Sequence, residues 1–365
     1  MHIVVAGAGL VGLTAAAVLS RAGNEVDVVE QAGEIRAVGA GIGLWDNALR
    51  VVGELGLRTP VEAMSSLVDT WFRDPDGTPR RSEGTAAADY RFLLVPRPEL
   101  NAMLADVVGR DRIRTGTRVV GYDEGPGGVT VRLGDGGVIA ADLLVGADGV
   151  HSLVRHRLRP DAAAREHGRH TAWRAVVPTR GDERPGGTSL TVGPHGTRGG
   201  YTRLDSARTM WMVNQFDAGE LTGDRREDAL DRAGNLVSEG WHQELLAMIR
   251  ATPQEAVLEN RILLVPPMDS WSGEHVTLIG DAAHGLSPHL SAGGTLGIED
   301  VPVLRDALAG HAAVPEALRA YEQARIPRFR TVREHADAIQ RAADATAFAD
   351  AYARFSHWMV TTAPR

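Results

Sequence analysis

Apolar residues are arranged differently at the two ends of the chain and in its middle. Near the N-terminus a β-branched apolar run at residues 3–6 precedes an alanine-rich stretch at 13–21 and a second apolar run at 25–29. A similar apolar run returns at 274–281, and helical sequence then dominates from about residue 296 to the end. Short continuous apolar runs separated by helical stretches are typical of buried parallel strands. The ends of the chain therefore predict an α/β unit.

The middle of the chain alternates apolar and polar residues instead. Alternation is clearest at 173–177, 189–192 and 209–213, and glycine- and proline-rich stretches at 185–187 and 193–200 separate these runs. Period-two alternation indicates antiparallel strands with one buried face. We expect an antiparallel sheet over 170–217, packed beside the first unit. A helix is predicted at 45–55, capped by Asp46 or Asn47 and ended by Gly56, and another from Pro98 to about 108. A hairpin is predicted within 66–95, turning at 75–77. Further predicted elements are strands at 114–122, 129–133 and 141–146 and a helical region at 225–250.

A glycine-rich turn follows the first strand. Gly7, Gly9 and Gly12 have G-x-G-x-x-G spacing, and the second strand ends in Glu30. Such glycines allow a tight turn, close approach of a pyrophosphate and close packing of helix on strand. The following helix directs N–H groups and partial positive charge at the phosphates. Glu30 can accept hydrogen bonds from ribose hydroxyls but would repel a 2′-phosphate, which favours the ADP end of FAD or NAD over NADP.

Composition narrows the function further. The 365 residues carry a net charge of −8, and all 39 basic side chains are arginine without a basic run, which argues against nucleic acid as a partner. The chain has no cysteine, which excludes disulfides, a thiol nucleophile and cysteine-linked flavin. Because we find neither an apolar run of membrane-spanning length nor a basic signal-peptide region, we expect a cytoplasmic protein.

Five further motifs resemble one family, and together with the glycine turn they span residues 3–328 in that family's order. The chain resembles the FAD-dependent single-component aromatic hydroxylases related to para-hydroxybenzoate hydroxylase, whose patterns include G-D-A-A-H-x-x-x-P, G-A-D-G-x-x-S-x-V-R and Y-E-x-x-R-x-P-R. The matching segments are Gly280 to His284 with Pro288 and 293–300, then 146–155, 97–100, Arg36 with 39–42, and 321–328.

The resemblance implies non-covalent FAD, with NADH or NADPH as a transient reductant that needs no second Rossmann domain. It also implies that O2 forms a flavin C4a-hydroperoxide, which hydroxylates an aromatic or other electron-rich small molecule. Asp281, at a strand end, can hold a ribityl hydroxyl, and the helix opened by Gly293 can stabilise the reduced, anionic flavin. The full set of expected cofactor residues is Gly7, Gly9, Leu10, Val11, Gly12, Glu30, Gln31, Arg36, Gly41, Ile42, Arg97, Val119, Asp148, Gly149, Gly280, Asp281, Pro288, Gly293, Gly294 and Thr295.

The chain departs from the family pattern near the expected flavin ring. Ser291, Ala292 and Thr295 replace the usual Gly, Gln and Asn, and Asp46 replaces the proline before Asn47. For Asp148 and Asp281, a turn residue that caps a helix is the alternative to a cofactor contact. His284 and His289 with Asp281 match no familiar metal-ligand spacing, so we expect no metal.

Catalytic and substrate residues are less marked in the sequence. His289, Asp46 and Tyr201 are candidates for a proton-transfer role, with an ordinary structural hydrogen bond as the alternative for each. Trp173, Tyr201 and Trp211 can wall a flat substrate, or can belong to the core.

The predicted fold class is α/β: a Rossmann-like FAD-binding domain with a parallel sheet, a smaller antiparallel-sheet domain covering the flavin, and C-terminal helices. The predicted segments are 1–70, 96–165 and 266–325 for the FAD-binding domain, 71–95 and 166–265 for the substrate domain, and 326–365 for the C-terminal helices. We expect a monomer or homodimer. Two alternatives remain: a flavoenzyme of this fold with reductase or halogenase-like chemistry, although the chain lacks W-x-W-x-I-P around Trp211, and a redox-sensing FAD module without turnover.

Overall fold

The computed structural model describes residues 1–35, 41–83, 86, 89, 91–181 and 189–364. The strands are β1 (His2–Ala6), β2 (Glu25–Val29), β3 (Gly41–Leu44), β4 (Ser66–Asp69), β5 (Trp71–Arg73), β6 (Pro79–Arg80), β7 (Arg91–Pro96), β8 (Ile113–Arg114), β9 (Val119–Gly125), β10 (Gly128–Leu133), β11 (Val138–Ala141), β12 (Leu143–Gly146), β13 (Arg165–Pro178), β14 (Ser189–Val192), β15 (Thr197–Arg203), β16 (Arg208–Gln215), β17 (Leu258–Leu264) and β18 (Val276–Leu278). The α-helices are α1 (Leu10–Arg21), α2 (Asp46–Glu54), α3 (Arg58–Met64), α4 (Arg97–Val108), α5 (Leu153–Leu158), α6 (Arg225–Ala233), α7 (Gln243–Ala251), α8 (Asp281–His284), α9 (Gly293–Gly310), α10 (Val314–Gln340) and α11 (Ala345–Thr361).

A five-stranded parallel sheet joins the two ends of the chain. Its order is β18-β12-β1-β2-β8, so the strand after residue 275 pairs beside the N-terminal strands. The central strands are buried on both faces, which explains why their sequences are continuously apolar. Helices α1 and α9 pack against each other beside this sheet. The predicted Rossmann-like α/β fold is confirmed.

A seven-stranded sheet forms the second layer. Its order is β17-β13-β16-β15-β14-β5-β6, and its pairs are antiparallel except for β14 with β5. The predicted hairpin at 66–95 supplies β5 and β6, which are joined by a turn where Gly77 has φ +87°. The antiparallel sheet predicted over 170–217 is therefore confirmed, and the hairpin extends it.

Some local predictions are wrong. Residues 197–200 of the supposed separator belong to β15. Glycine occurs there for close packing and not for a turn, because a Cβ on Gly199 would lie 2.6 Å from the Met212 carbonyl oxygen. The strand predicted at 114–122 splits into β8 and β9, which join different sheets. Trp45, and neither Asp46 nor Asn47, is the N-cap of α2, although Gly56 ends that helix with φ +76°. The helical region predicted at 225–250, by contrast, is confirmed and consists of two helices, α6 and α7.

The C-terminal helices confirm the predicted helical end of the chain. Helix α10 packs on α9, and α11 returns to cover β5 and β14 of the seven-stranded sheet. Phe348 and Tyr352 of α11 contact Phe72 of β5, with ring centroids 4.9 and 5.1 Å away. In the described ranges, no helix combines the length and the apolar character that crossing a membrane requires.

Candidate cofactor and substrate site

The predicted nucleotide residues meet at one edge of the parallel sheet. Gly7 follows β1, Glu30 follows β2, Asp148 lies just beyond β12, and Gly280 lies just beyond β18. Carboxyl ends of neighbouring parallel strands share an edge, which is where open α/β sheets bind ligands. The structure therefore brings together four segments that lie far apart in the chain.

The three glycines of the first turn have different surroundings. Gly7 has φ +104°, and a Cβ there would come within 2.5 Å of the Ala147 carbonyl oxygen. A Cβ on Gly12 would collide with the Gly7 carbonyl oxygen. A Cβ on Gly9, by contrast, would have no heavy atom of the described residues within 4 Å, and no side chain caps α1 there. Gly7 and Gly12 are thus needed for packing, whereas Gly9 leaves a cradle that fits a pyrophosphate.

Glu30 lies against this cradle. Its carboxylate accepts hydrogen bonds from the backbone N–H groups of Ala8, at 2.7 Å, and Ala32, at 2.8 Å. The side chain is half-buried and is held at the end of β2 beside the glycine turn. This position suits a ribose hydroxyl next to a bound pyrophosphate.

Asp148 has the helix-capping role that the sequence left open. Its carboxylate accepts hydrogen bonds from the backbone N–H groups of Leu153, at 2.8 Å, and Val154, at 3.2 Å, and from the Ser152 hydroxyl. Burial raises the pKa of Asp148 above its ordinary value, although these hydrogen bonds oppose the shift. Gly149, with φ +77°, turns the chain beside it.

The other expected nucleotide residues lie around this edge. Leu10 and Val11 lie in the first turn of α1. Gly280 packs against Val11, since a Cβ built on Gly280 would lie 3.1 Å from Val11 Cγ1. Gln31 is exposed after β2, and Val119 begins β9. Arg36 lies outside the described residues.

A cavity of about 330 Å³ continues from this edge towards the seven-stranded sheet. Seven expected cofactor residues line one side of it. They are Gly41, Ile42, Arg97, Asp281, Pro288, Gly293 and Gly294. Arg97 is half-buried; its partial removal from water lowers its pKa, and the charge of Asp281 opposes that shift. Among the described residues no side chain caps the N-terminus of α9 at Gly293, so this side of the cavity combines a helix N-terminus with two side chains of opposite charge.

The opposite side of the cavity is mainly apolar. It is formed by alternate residues of the seven-stranded sheet and by two side chains of α11. They are Phe72, Leu190, Met210, Met212, Phe348 and Tyr352. A flat apolar molecule can therefore lie between the sheet and the N-terminus of α9.

One region of this cavity is occupied by polar side chains that have no acidic partner in the part of the chain that the structure describes. His170, Arg198, Ser287 and His289 all line it. His289 Nδ1 lies 2.7 Å from Ser287 Oγ, and Ser287 Oγ lies 3.3 Å from His170 Nδ1. Burial and then the charge of Arg198 lower the pKa of His289 to about 3, and burial lowers the pKa of His170 to about 3. Both histidines are therefore neutral near pH 7.

Two of the predicted substrate residues face away from the cavity. Trp211 is fully buried and donates a hydrogen bond from Nε1 to Thr252 Oγ1 at 3.0 Å, and Tyr201 donates to Glu244 at 3.1 Å. Their side chains join the core between the sheet and helices α6 and α7. Alternation along a strand places neighbouring residues on opposite faces, so the core alternative is correct for both. Trp173 borders the cavity, but its ring belongs to the same core.

The remaining candidates divide in the same way. His289 lines the cavity, whereas Asp46 lies at the surface beside Arg58, 3.4 Å from its guanidinium. Asp46 is therefore wrongly placed for proton transfer in this cavity. Sequence reasoning missed His170 and Arg198, although the odd–even alternation of β13 and β15 could have assigned both to the face opposite Trp173 and Tyr201.

The family-specific residues at 299–300 and 325–328 form a buried ionic network. Arg325 contacts Asp300 at 2.7 Å and Glu299 at 3.1 Å, and Arg328 contacts Glu299 at 2.8 Å. His284 contacts Asp300 at 2.6 Å. Burial alone raises the pKa of Asp300, but His284 and Arg325 outweigh it and leave the pKa below its ordinary value. These motif residues tie α9 to α10 and do not line the cavity.

The departures from the family pattern have visible consequences. Ser291 has φ +52°, a conformation that glycine adopts at less cost, which explains the usual glycine there. Thr295 is buried, accepts a hydrogen bond from the Trp45 N–H at 3.1 Å, and thereby joins α9 to the end of β3. Its side chain is engaged with protein backbone and does not line the cavity.

Comparison with known proteins agrees with this geometry. Residues 1–336 match the family described as FAD binding domain. The chain is 33% identical over 335 residues to the aurachin C monooxygenase/isomerase of Stigmatella aurantiaca, covering 90% of this chain and 86% of the relative. It is 32% identical over 356 residues to the 3-amino-4-hydroxybenzoate 2-monooxygenase of Streptomyces cremeus, covering 92% and 86%.

A solved structure extends the comparison to three dimensions. The crystal structure of Klebsiella pneumoniae HpxO complexed with FAD and uric acid superposes with a TM-score of 0.83 at 28% identity, covering 98% of this chain and 93% of that one. The family match covers most of the chain, and the motifs that carry the resemblance lie at one sheet edge. The chain therefore belongs to the FAD-binding-domain family and, within it, to the FAD-dependent monooxygenases.

Proposed function

We propose that this enzyme uses FAD, NADH or NADPH, and O2 to hydroxylate an aromatic or similarly electron-rich small molecule. The observation that carries the proposal is the cavity with two unlike sides. One side holds the helix N-terminus of α9, Arg97 and Asp281, and the other is an apolar surface of the seven-stranded sheet. Cofactor and flat substrate can therefore meet in one cavity.

The chain's own residues fit the cofactor. Gly9 leaves room for the pyrophosphate, Glu30 suits the adenosine ribose, and Asp281 suits the ribityl chain. The N-terminus of α9 favours negative charge on a reduced flavin ring placed beside Gly293. When bound and reduced by NADH or NADPH, FAD supplies the chemistry that splits O2 and delivers one oxygen atom to the substrate.

The apolar side has two further tasks. Met210, Met212 and Phe72 can hold an aromatic ring flat, and Phe348 and Tyr352 of α11 close the cavity on the C-terminal side. Exclusion of water protects the activated oxygen from decay to hydrogen peroxide. The relatives support an aromatic substrate, since they include an aminohydroxybenzoate monooxygenase and, in HpxO, a complex with uric acid.

The decisive experiment is consumption of NADH and NADPH by the FAD-loaded protein with and without a panel of phenols, aromatic acids and polycyclic aromatics. Products formed under labelled O2 are analysed by mass spectrometry. Stimulated oxidation with label in the organic product supports the proposal. Protein without flavin, or flavin reduction without oxygen incorporation for any compound, contradicts it and favours the reductase-like, halogenase-like or non-turnover alternatives.

The proposal also includes the arrangement expected from the sequence. The FAD-binding domain comprises 1–70, 96–165 and 266–325, and the substrate domain comprises 71–95 and 166–265. A reaction that consumes NADH or NADPH fits the expected cytoplasmic location. A monomer and a homodimer both fit, and sedimentation of the FAD-loaded protein distinguishes them.

A further inference from the structure

The cavity contains a buried cation that the protein only partly satisfies. Arg198 is 2% exposed, and its Nη2 donates to the carbonyl oxygens of Ile339, at 3.2 Å, and Gln340, at 3.5 Å. Its Nε and Nη1 have no hydrogen-bond partner, and no carboxylate pairs with it, among the described residues. The guanidinium lies between the rings of Phe216 and Phe348, with its Cζ 4.9 and 4.3 Å from their centroids. Leaving such donors unpaired is costly unless a ligand satisfies them.

Hydrogen bonds determine which nitrogen atoms of the neighbouring histidines carry hydrogen. His289 Nε2 lies 3.2 Å from the Ala336 carbonyl oxygen, which can only accept, so Nε2 carries the hydrogen of the neutral ring. His289 Nδ1 is then an acceptor, and the Ser287 hydroxyl, 2.7 Å away, donates to it. Having donated its only hydrogen, Ser287 Oγ accepts from His170 Nδ1 at 3.3 Å.

This relay leaves His170 Nε2 without hydrogen. The contact of His170 Nδ1 with His167 Nδ1, at 3.3 Å, is compatible with the same tautomer, since His167 can accept there. His170 is 1% exposed and lines the cavity, and its Nε2 has no partner among the described residues. Two residues of the cavity wall therefore carry unpartnered polar atoms, an acceptor on His170 and donors on Arg198.

We propose that His170 and Arg198 together bind a hydroxyl group on the substrate ring, His170 Nε2 accepting its hydrogen bond and Arg198 donating to its oxygen. Ser287 and His289 are positioning residues that keep Nε2 of His170 free of hydrogen. The inference rests on the proposed function and names the group by which the substrate is recognised.

A ring hydroxyl fits this pair better than other polar groups. A carboxylate satisfies Arg198 but has no hydrogen to donate to His170 Nε2, and an ether oxygen likewise has none. A hydroxyl oxygen does both at one atom. Withdrawal of the hydroxyl hydrogen towards His170, with Arg198 stabilising negative charge on the oxygen, also raises the electron density of the ring, which attack on an electrophilic oxygen requires.

The test measures binding to the FAD-loaded protein without turnover. Matched probes are phenol with anisole and 2-naphthol with 2-methoxynaphthalene, and 2-naphthoate tests simple anion binding. Flavin absorbance changes and calorimetry give the dissociation constants, and the ultraviolet spectrum of bound naphthol reports polarisation of its O–H bond. We expect at least one hydroxyl compound to bind about tenfold more tightly than its methyl ether, because the ether leaves the charged donor and His170 only partly satisfied.

The variants separate recognition from folding. His170→Phe and Arg198→Met should each abolish the hydroxyl preference, and Ser287→Ala should weaken it and reduce the spectral shift, while FAD still binds. Arg208→Met is the matched control: it lies on the same sheet outside the cavity, paired with Asp205 at 2.7 Å and Glu99 at 3.0 Å. Should His170→Phe fail to bind FAD, His170→Asn replaces it.

Three results would overturn the inference: methyl ethers that bind as tightly as the hydroxyl compounds, a preference that survives in both His170 and Arg198 variants, or no binding by either hydroxyl compound. Tighter binding of 2-naphthoate than 2-naphthol would assign Arg198 to a simple anion site and remove His170 from it. A hydroxyl preference without labelled oxygen in any product would support this inference and contradict the proposed function, so the two fail separately.

Discussion

Two buried clusters of charged and polar side chains lie in different parts of the molecule and are built differently. In the network of Glu299, Asp300, Arg325 and Arg328, every charge has an opposite charge within 3.1 Å. In the cavity, Arg198 lies near His170 and His289 without a carboxylate partner among the described residues. The first cluster is complete within the protein, and the second is not.

The difference separates residues that maintain the fold from residues that wait for a ligand. A buried ion pair contributes modestly to stability, but removal of one partner leaves a costly unpaired charge. A buried donor without a partner already destabilises the free protein, and a ligand that accepts its hydrogen bond removes this destabilisation, which adds to the free energy of binding. We therefore expect substitutions in the ionic network mainly to lower the free energy of unfolding, and substitutions of the cavity residues mainly to weaken ligand binding.

The largest expected effect is on the paired network. Arg325→Met leaves Asp300 and Glu299 buried with fewer positive partners, which should lower the free energy of unfolding by about 3–5 kcal/mol. Urea denaturation of the FAD-loaded protein measures it. Arg330→Met, on the same helix, is the control: its ion pair with Asp269 is exposed, and we expect a change within about 0.5 kcal/mol. Equal losses for both variants would show that the network is not special.

Acid should destabilise the cavity cluster through its neutral histidines. The folded-state pKa of His289 is about 3, against 6.5 in the unfolded chain, so the unfolded state binds the extra proton first as pH falls. The contribution of the neutral ring is complete above pH 6.5 and is lost progressively as pH falls towards 3, on the order of 3 kcal/mol. His289→Gln cannot titrate at this position and should make the stability profile shallower between these values, while the contribution of His170 remains.

The control for this titration is His311→Gln, at the exposed end of α9. The free energy of unfolding of His311→Gln, measured by urea denaturation from about pH 7 to about pH 4, should follow the wild-type profile. This is the range in which a histidine held neutral in the folded state loses its contribution to stability. A His289→Gln profile as steep as that of the wild type would mean that other groups cause the acid sensitivity.

The glycine turn offers a smaller and sharper contrast between fold and ligand. A methyl group at Gly12 collides with the Gly7 carbonyl, so Gly12→Ala should cost about 1–3 kcal/mol of stability as well as FAD binding. A methyl group at Gly9 meets nothing in the described part of the chain, so Gly9→Ala should fold normally and lose affinity for FAD alone. Thermal unfolding of the apoproteins and FAD titration distinguish them, and normal FAD affinity in Gly9→Ala would remove this turn from the pyrophosphate site.

Sequence could predict the parts of this protein that depend on local pattern. The G-x-G-x-x-G turn, Glu30 and the strand before Asp281 each carry their signal in consecutive residues, and the structure brings them to one edge. The antiparallel sheet was equally visible from alternation. The cavity residues were not, because Arg198 and His170 acquire meaning only when β13 and β15 are placed in register through β16 and when α10 and α11 return to the sheet.

Aromatic residues misled the prediction for a related reason. Trp211 and Tyr201 have the size and chemistry of a substrate wall, but alternation alone does not say which face of a sheet meets the cofactor and which meets α6 and α7. Contacts between distant segments decide that. Met210 and Met212, one residue to either side of Trp211, line the cavity instead.

The smallest expected effect on stability is the sharpest test of the comparison. Arg198→Met removes a buried cation that has no carboxylate partner among the described residues, so the free energy of unfolding should stay within about 1 kcal/mol of the wild type, or rise. Arg155→Met is the matched control. Arg155 is as deeply buried, but its Nε donates to the Ala162 carbonyl oxygen at 3.0 Å and its Nη1 to that of Ala282 at 2.9 Å, whereas Nε and Nη1 of Arg198 have no partner among the described residues and only its Nη2 donates to backbone carbonyls, at 3.2 and 3.5 Å. It should lose about 1–3 kcal/mol, since those acceptors lose their partners. Urea denaturation of both apoproteins gives the two values, and a loss in Arg198→Met as large as that in Arg155→Met would show that Arg198 maintains the fold and is not held for a ligand.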